Sequence, residues 1–337
     1  MRGIFHKPWW FAVRNPAMLA AVFWGFSAYP GAAQGQPAQN LDEGEIQVLQ
    51  VQGNVYLLAG AGGNVTVQIG DQGVFLVDTG SAKQSAKVLA AIRKLSGRPI
   101  RYIVNTGIDA DHTAGNELLN SAGMTVFGVL FQSNKLDAAP NAVVIAHENA
   151  FNRMSGLTGG KSAPSDALPM DVYPGNLKKL FFNEEGIEII HVASAHTDGD
   201  SMVYFRRSDV LSTGDIFSTT TYPVIDLANG GSIQGIIDGL NRILEITIST
   251  QRVEGGTYVI PGHGRICDQF DVLEYRDMVT IVRDRIQALL KKGMSLEQIK
   301  ATRPTEEYDD RYGSASGPWT TDMFVEAVYK SLVAKSK

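Results

Sequence analysis

A single cysteine, Cys267, occurs in 337 residues, so the chain can close no disulfide within itself and cannot build a zinc site mainly from thiolates. Positive charge is also scarce. Thirty Lys and Arg stand against 35 Asp and Glu, a net charge of −5, which argues against a chain that lives on nucleic acid or an anionic membrane. The compositional bias of a disordered, collagen-like or coiled-coil chain is absent too: 44% hydrophobic, 19% charged and 9% aromatic residues are ordinary globular proportions. The length admits one large α/β domain or two small ones. Histidine is sparse as well, with only six in the chain, so each can be weighed singly.

Residues 1–33 carry Arg2, Lys7 and Arg14 and no acid, then a small-residue apolar stretch from Pro16 to Ala33. A basic start, a short apolar core and small residues before a polar stretch read as a secretory signal peptide cleaved near Ala33, which implies an exported protein. The apolar stretch is shorter than the roughly 20 residues of a bilayer span, and Pro30 and Gly31 interrupt it, so no stable membrane anchor is expected. Without those three bases the remainder has net charge −8. Residues 34–44 read as a polar linker and 45–337 as one domain with C-terminal helices.

Within that domain, short apolar runs at 46–51, 55–58, 65–69 and 74–77, punctuated by glycine, predict strands. Apolar residues at Val88, Leu89, Ile92 and Leu95 have helical spacing, and Ile100–Val104 returns to a strand. A second cycle follows: strands at 187–192, 202–205 and 210–211, a helix at 232–244, a strand at 257–260 and a long helix at 271–291. Two helices at 295–335 close the chain. Two β-rich halves, each followed by helices, predict sheet packed on sheet with helices outside. Residues 152–178, rich in Gly, Ser, Pro and Asn, are either a surface loop or a lid.

Four loops just after strands carry metal-ligating side chains: Asp109-Ala-Asp111-His112, His196-Thr-Asp198-Gly-Asp200, Gly214-Asp215, and Pro261-Gly-His263-Gly. Each alone is weak, because Asp and His are common in loops and Asp111-His112 can simply cap a helix. Together they are stronger, since loops at strand ends converge in space. Carboxylate and imidazole together suit zinc, iron or manganese.

In order, Asp78-Thr-Gly80, Asn105-Thr106-x4-Asp111-His112-Thr113-x-Gly115-Asn116, His196-Thr-x-Gly-Asp200, Thr213-Gly-Asp215 and Pro261-Gly-His263-Gly resemble the metallo-β-lactamase superfamily, over roughly residues 45–265. The resemblance implies an α/β fold, an αββα sandwich of two mixed β-sheets flanked by helices, with a metal site at one edge. It also implies hydrolysis of a small molecule containing an ester, lactone, amide or thioester. The family motif His-x-His-x-Asp-His is degenerate here, with Gly107 and Asp109 replacing its two leading histidines. In the family those histidines, with the counterpart of His196, bind a first metal. The counterparts of Asp111, His112 and His263 bind a second, and that of Asp215 bridges the two.

Three arrangements follow from the resemblance. In the first, one zinc sits on Asp111, His112 and His263 with Asp215, hydroxide attacks the substrate, and His196 is a general base. In the second, Asp109, His196 and Asp215 hold a further, harder ion such as iron or manganese. In the third the chain is a catalytically silent binding protein. The first defines the expectation, with Asp111 and His196 as catalytic groups. Asp78 is expected to orient the metal loop, and Thr113 and Asn116 to hold its backbone. Asp198 and Asp200 read as turn residues, His191 as a hydrogen-bonded core residue, His147 as a cap or solvent contact, and Cys267 as a small buried hydrophobe. Ser232 reads as a helix N-cap. Gly230-Gly231 either turns the chain or offers N–H groups to an anion.

Overall fold

Period-two alternation along the strands decides which layer each side chain enters. The structure, a computed structural model, describes residues 44–127, 137–251 and 255–335; the signal-peptide reading of 1–33 falls outside them. β1 (Gln47–Gln52), β2 (Val55–Ala59), β3 (Val65–Gly70) and β4 (Gly73–Val77) form an antiparallel meander. α1 (Ser85–Leu95) then crosses back, so that β5 (Ile100–Val104) lies parallel to β4. After α2 (Ala110–Thr113), α3 (Asn116–Ser121) and the hairpin β6 (Met124–Phe127) and β7 (Asp137–Pro140), β8 (Val143–His147) joins parallel to β5. α4 (Glu148–Met154) leads to β9 (Asp171–Tyr173) at the sheet's far edge.

The second sheet repeats the plan. β10 (Leu177–Phe182), β11 (Glu185–His191), β12 (Ser201–Phe205) and β13 (Val210–Ser212) are antiparallel, and α5 (Ile233–Ile246) crosses to β14 (Tyr258–Ile260), parallel to β13. α6 (Gln269–Lys291), α7 (Leu296–Ala301), α8 (Asp309–Tyr312) and α9 (Thr321–Lys335) follow.

Between the sheets lie Val55, Leu57, Phe75 and Val77 from one side and Ile187, Ile189, Val203 and Phe205 from the other. Phe75 and Phe205 meet edge to face at 5.7 Å. Their neighbours in sequence point the other way. Leu58, Val74 and Leu76 pack on Val88 and Ile92 of α1, while Met202 and Leu211 pack on α5, α6 and α9 through Leu240, Val279 and Phe324. Each fully buried side chain of this kind contributes about 1.5–3 kcal/mol. The result is the expected αββα sandwich. No helix among the described residues is long and apolar enough to cross a membrane.

Some elements escape the periodicity. β8 is a continuous apolar run, buried on both faces, which alternation cannot reveal. Residues 152–178 hold the end of α4, a 3-10 turn at Ser165–Ala167, β9 and the start of β10. Asn116 and Asn120 donate their side-chain amides to the carbonyls of Ala167 and Asp166, which anchors this segment on α3.

His147 caps α4, accepting the Asn149 N–H, but its side chain is buried and not in contact with solvent as expected. Its ring stacks on His191 with centroids 3.5 Å apart. Burial, then the neighbouring His191, pushes His147 from 6.5 down to about 4. The unfolded chain therefore takes up this proton first as the medium is acidified. The contribution to stability is complete above pH 6.5 and is lost as pH falls towards 4, at up to about 1.4 kcal/mol per pH unit for one proton. Urea midpoints between pH 7 and 4.5 should fall more steeply for the wild type than for His147→Asn, which keeps a cap but does not titrate. Parallel slopes would refute this.

Candidate metal centre

Strand direction brings the polar loops to one edge. β4 with β5 and β13 with β14 are parallel pairs, so the loops after all four leave at matching ends, and β12, antiparallel to β13, begins there after the His196 loop. Two groups of side chains result, each offering ligand atoms within 4.8 Å of one another: Asp111, His112 and His263, and Asp109, His196 and Asp215.

In the first of these groups, His263 Nε2 stands 3.2 Å from Asp111 Oδ2 and 3.4 Å from Asp215 Oδ1, and His112 Nε2 lies 3.1 Å from the same Asp215 oxygen. Asp215 Oδ2 turns the other way, 4.0 Å from His196 Nδ1. One carboxylate therefore faces both groups. Asp109 Oδ2 approaches His196 Nδ1 at 3.6 Å, so even this short side chain reaches the His196 side of the site.

Buried partners aim these groups. Asp78, at φ 63°, accepts the Thr106 N–H at 2.8 Å and the Thr106 hydroxyl at 2.6 Å, and pairs with His112 Nδ1 at 2.8 Å. That leaves Nε2 of His112 facing the site, the orienting role expected of Asp78. Thr113 Oγ1 donates to the Asp109 carbonyl, while Asn116 binds Thr79 and Asn105, so both hold the loop as anticipated. Close backbone approach fixes Gly231, where a Cβ would stand 2.0 Å from the His196 carbonyl oxygen. The Gly231 and Gly230 N–H groups are bonded to Asp226 and Leu227, so this loop is a turn and offers them to no anion. Ser232 caps α5 through the Gly235 N–H.

The charges are coupled. Burial opposes charge on all three imidazoles, yet Asp215 and Asp78 raise His112 well above its usual value, Asp200, Asp215 and Asp109 raise His196, and Asp111 with Asp215 raises His263. Burial also opposes ionisation of Asp215, but the three histidines outweigh it and hold that carboxyl far below the usual range. Burial lifts Asp109.

These residues fit a divalent ion. His196 Nδ1 and Asp109 Oδ2 are buried and lack a hydrogen-bond partner, although such atoms are normally satisfied. They face each other at a distance too long for a hydrogen bond, and ligands of a shared ion, at about 2.0–2.2 Å from it, stand about 3–4 Å apart.

Comparison with known proteins agrees with this fold. The family model of the Metallo-beta-lactamase superfamily matches residues 50–127. A linear primary-alkylsulfatase from a Pseudomonas species is 22% identical over 256 residues, 68% of this chain and 47% of the relative. Among solved structures, the stereoselective inverting sec-alkylsulfatase Pisa1 from Pseudomonas sp. superposes with a TM-score of 0.58 at 16% identity, over 85% of this chain and 50% of that one. A metallo-beta-lactamase from Pontibacter korlensis gives 0.53 at 15% identity, over 70% of this chain and 99% of that one. These matches support membership of the metallo-beta-lactamase superfamily. It spans about half the length of the alkylsulfatase relatives it matches.

Against the superfamily motif the chain differs at the two leading positions, Gly107 and Asp109. His196, expected in the one-metal arrangement to be free as a base, is grouped with Asp109 and Asp215. Asp200, taken from the sequence for a turn residue, does accept the Thr197 N–H at 2.8 Å, but its Oδ1 also stands 3.8 Å from His196 Nδ1. The His-x3-Asp spacing was the available signal. Asp198 is held by Arg153, with bonds at 3.0 and 2.6 Å. His191 is half-buried and pairs with the Asp200 carbonyl, and Cys267 is buried.

Proposed function

We propose that this chain is a metal-dependent hydrolase of a small ester or lactone, with Asp111, His112, His263 and Asp215 holding one ion and Asp109, His196 and Asp215 a second. The observation that carries the reading is Asp215, whose two oxygens face the two groups separately. Ions held there supply Lewis acidity and lower the pKa of water, which is the chemistry an acyl bond needs. Asp111 and Asp109, with side chains 40% and 42% exposed, form the mouth at which substrate meets the site. The Asp111 carboxylate, kept ionised because the His263 hydrogen bond and the His112 charge outweigh burial, is the group placed to accept a proton there. Asp78 and Thr106 hold the His112 ring still behind it. The two-group geometry favours His196 as a ligand over His196 as a base.

A sulfuric ester is the second reading, favoured by the match to an alkylsulfatase across 68% of the chain. The cations beside the His196 and His263 loops, Arg153 and Arg265, are already engaged by Asp198 and Asp271. Neither of these two cations is free to take an anionic sulfate, which places carboxylic esters first. The test is turnover of p-nitrophenyl acetate, a γ-lactone, a β-lactam and an alkyl sulfate by protein reconstituted with zinc, manganese or ferrous iron. Turnover that chelators abolish and that His263→Ala lacks is expected. Metal-loaded protein inert on the whole panel would leave the silent-binder reading standing.

A further inference from the structure

We infer that Asp200 completes the first metal position from the side left open by Gly107, turning an imidazole-rich site into one of three carboxylates and one imidazole that selects a hard ion. The inference rests on reading these loops as a metal centre, but not on hydrolysis.

Three observations carry it. First, a Cβ built on Gly107 meets a single atom within 4 Å, Asp200 Oδ1 at 3.8 Å, so the carboxylate borders the space a side chain at 107 would enter. Second, His196 Nδ1, on a side chain 4% exposed and without a hydrogen-bond partner, is ringed by three carboxylate oxygens: Asp109 Oδ2 at 3.6 Å, Asp200 Oδ1 at 3.8 Å and Asp215 Oδ2 at 4.0 Å. None is close enough to bond to it, and all lie at the spacing of ligands around a common ion. Third, Asp200 is buried and already aimed. Its oxygens accept the Thr197 N–H at 2.8 Å and the Thr197 hydroxyl at 2.5 Å, which leaves each a lone pair for another partner.

A turn alone accounts for the Thr197 bonds, but not for an unpartnered imidazole nitrogen ringed by three carboxylates. A desolvated carboxylate is costly without a counter-charge, and even with Asp215 shared by His112 and His263, His196 alone faces both Asp109 and Asp200, which leaves the position short of positive charge. A divalent ion supplies it. Carboxylate oxygens favour manganese or ferrous iron, whereas the second position, with His112 and His263, keeps the two imidazoles that suit zinc.

The experiment reads metal rather than turnover. The full chain is stripped, reconstituted with equimolar zinc and manganese, and analysed for metal content, with the manganese fraction followed by electron paramagnetic resonance. The wild type should hold two ions per chain with manganese in the first position. Asp200→Asn, which keeps an acceptor for Thr197, should hold one, with first-position affinity reduced about tenfold or more. Gly107→His combined with Asp200→Asn should restore the second ion and shift it towards zinc. The new side chain has room, and Gly107 lies outside the left-handed region.

Two ions with unchanged manganese affinity in Asp200→Asn would overturn the inference. So would failure of Gly107→His to restore the lost ion in a double variant that melts like the wild type, since a turn defect is not repaired by a new ligand. Should Asp200→Asn not fold, Gly107→His alone decides: its bound manganese should be exchanged for zinc, and an unchanged ratio refutes the proposal. Loss of hydrolysis with both ions retained would count against the proposed function alone.

Discussion

Asp215→Asn should reduce metal content from two ions per chain to less than one and lower hydrolysis by at least about a thousandfold, the several kcal/mol that metal-borne charge stabilisation supplies. Asparagine preserves volume and one acceptor, so the change isolates charge. In the wild type one oxygen lies 3.1 Å from His112 and 3.4 Å from His263, and the other faces His196. Among the described residues no other carboxylate touches both groups in this way. Its removal deprives three imidazoles of a shared counter-charge, and their affinity for protons should drop with it. Before metal is added, the raised histidines stabilise the fold below their ordinary value of 6.5, and this stabilisation is lost as pH rises through their higher folded values. Metal requires the deprotonated rings, so its stabilising effect should grow over that same rise in the wild type and be largely absent in Asp215→Asn. Melting curves with and without metal between pH 6 and 9 would show it. A variant that keeps two ions, or a metal-induced shift in melting that is as large at pH 6 as at pH 9 in the wild type, would contradict this account of the site.

A comparable loss is expected one layer further back. Asp78→Asn should weaken the ion held by Asp111, His112 and His263 by about 10–100-fold while leaving the fold intact. Asp78 lies at φ 63°, in the left-handed region that Asn tolerates nearly as well as Asp, so the backbone is not the cause of the effect. What changes is the oxygen that receives both the Thr106 hydroxyl and His112 Nδ1. An amide nitrogen there accepts neither, and the His112 ring is no longer fixed with Nε2 towards Asp215. Metal titration with a competing chelator measures the loss. Asp78→Ala would confuse it with backbone strain, of roughly 1–2 kcal/mol in this region. An Asn variant with undiminished affinity would mean that packing alone, including the close contact of Gly63 with the ring, holds His112 in place.

Much of this is already present in the order of residues. The alternation of Val55, Leu57, Phe75 and Val77 places them on a buried face, and the change to helical spacing at Val88 and Ile92 marks the crossover. The five signatures resemble those of the superfamily, and the side chains they mark come together because the loops after the parallel strands leave at one edge. Other parts were not legible for definite reasons. β8 lacks alternation because both of its faces are covered, and β9 is three residues long. The burial of His147 depends on His191, 44 positions later in the sequence, which no local pattern encodes.

By itself, then, the sequence determined the strand faces, the family resemblance and which side chains are chemically able to bind a cation. Only the tertiary structure brought Asp109 to 3.6 Å from His196, grouped His196 with Asp109 and Asp215, and set Asp200 beside the space at Gly107. Residue type sets what an atom can bind. Its distance to atoms far away in the chain is set by how two sheets pack, and differences of an ångström there separate a hydrogen bond from a shared ion.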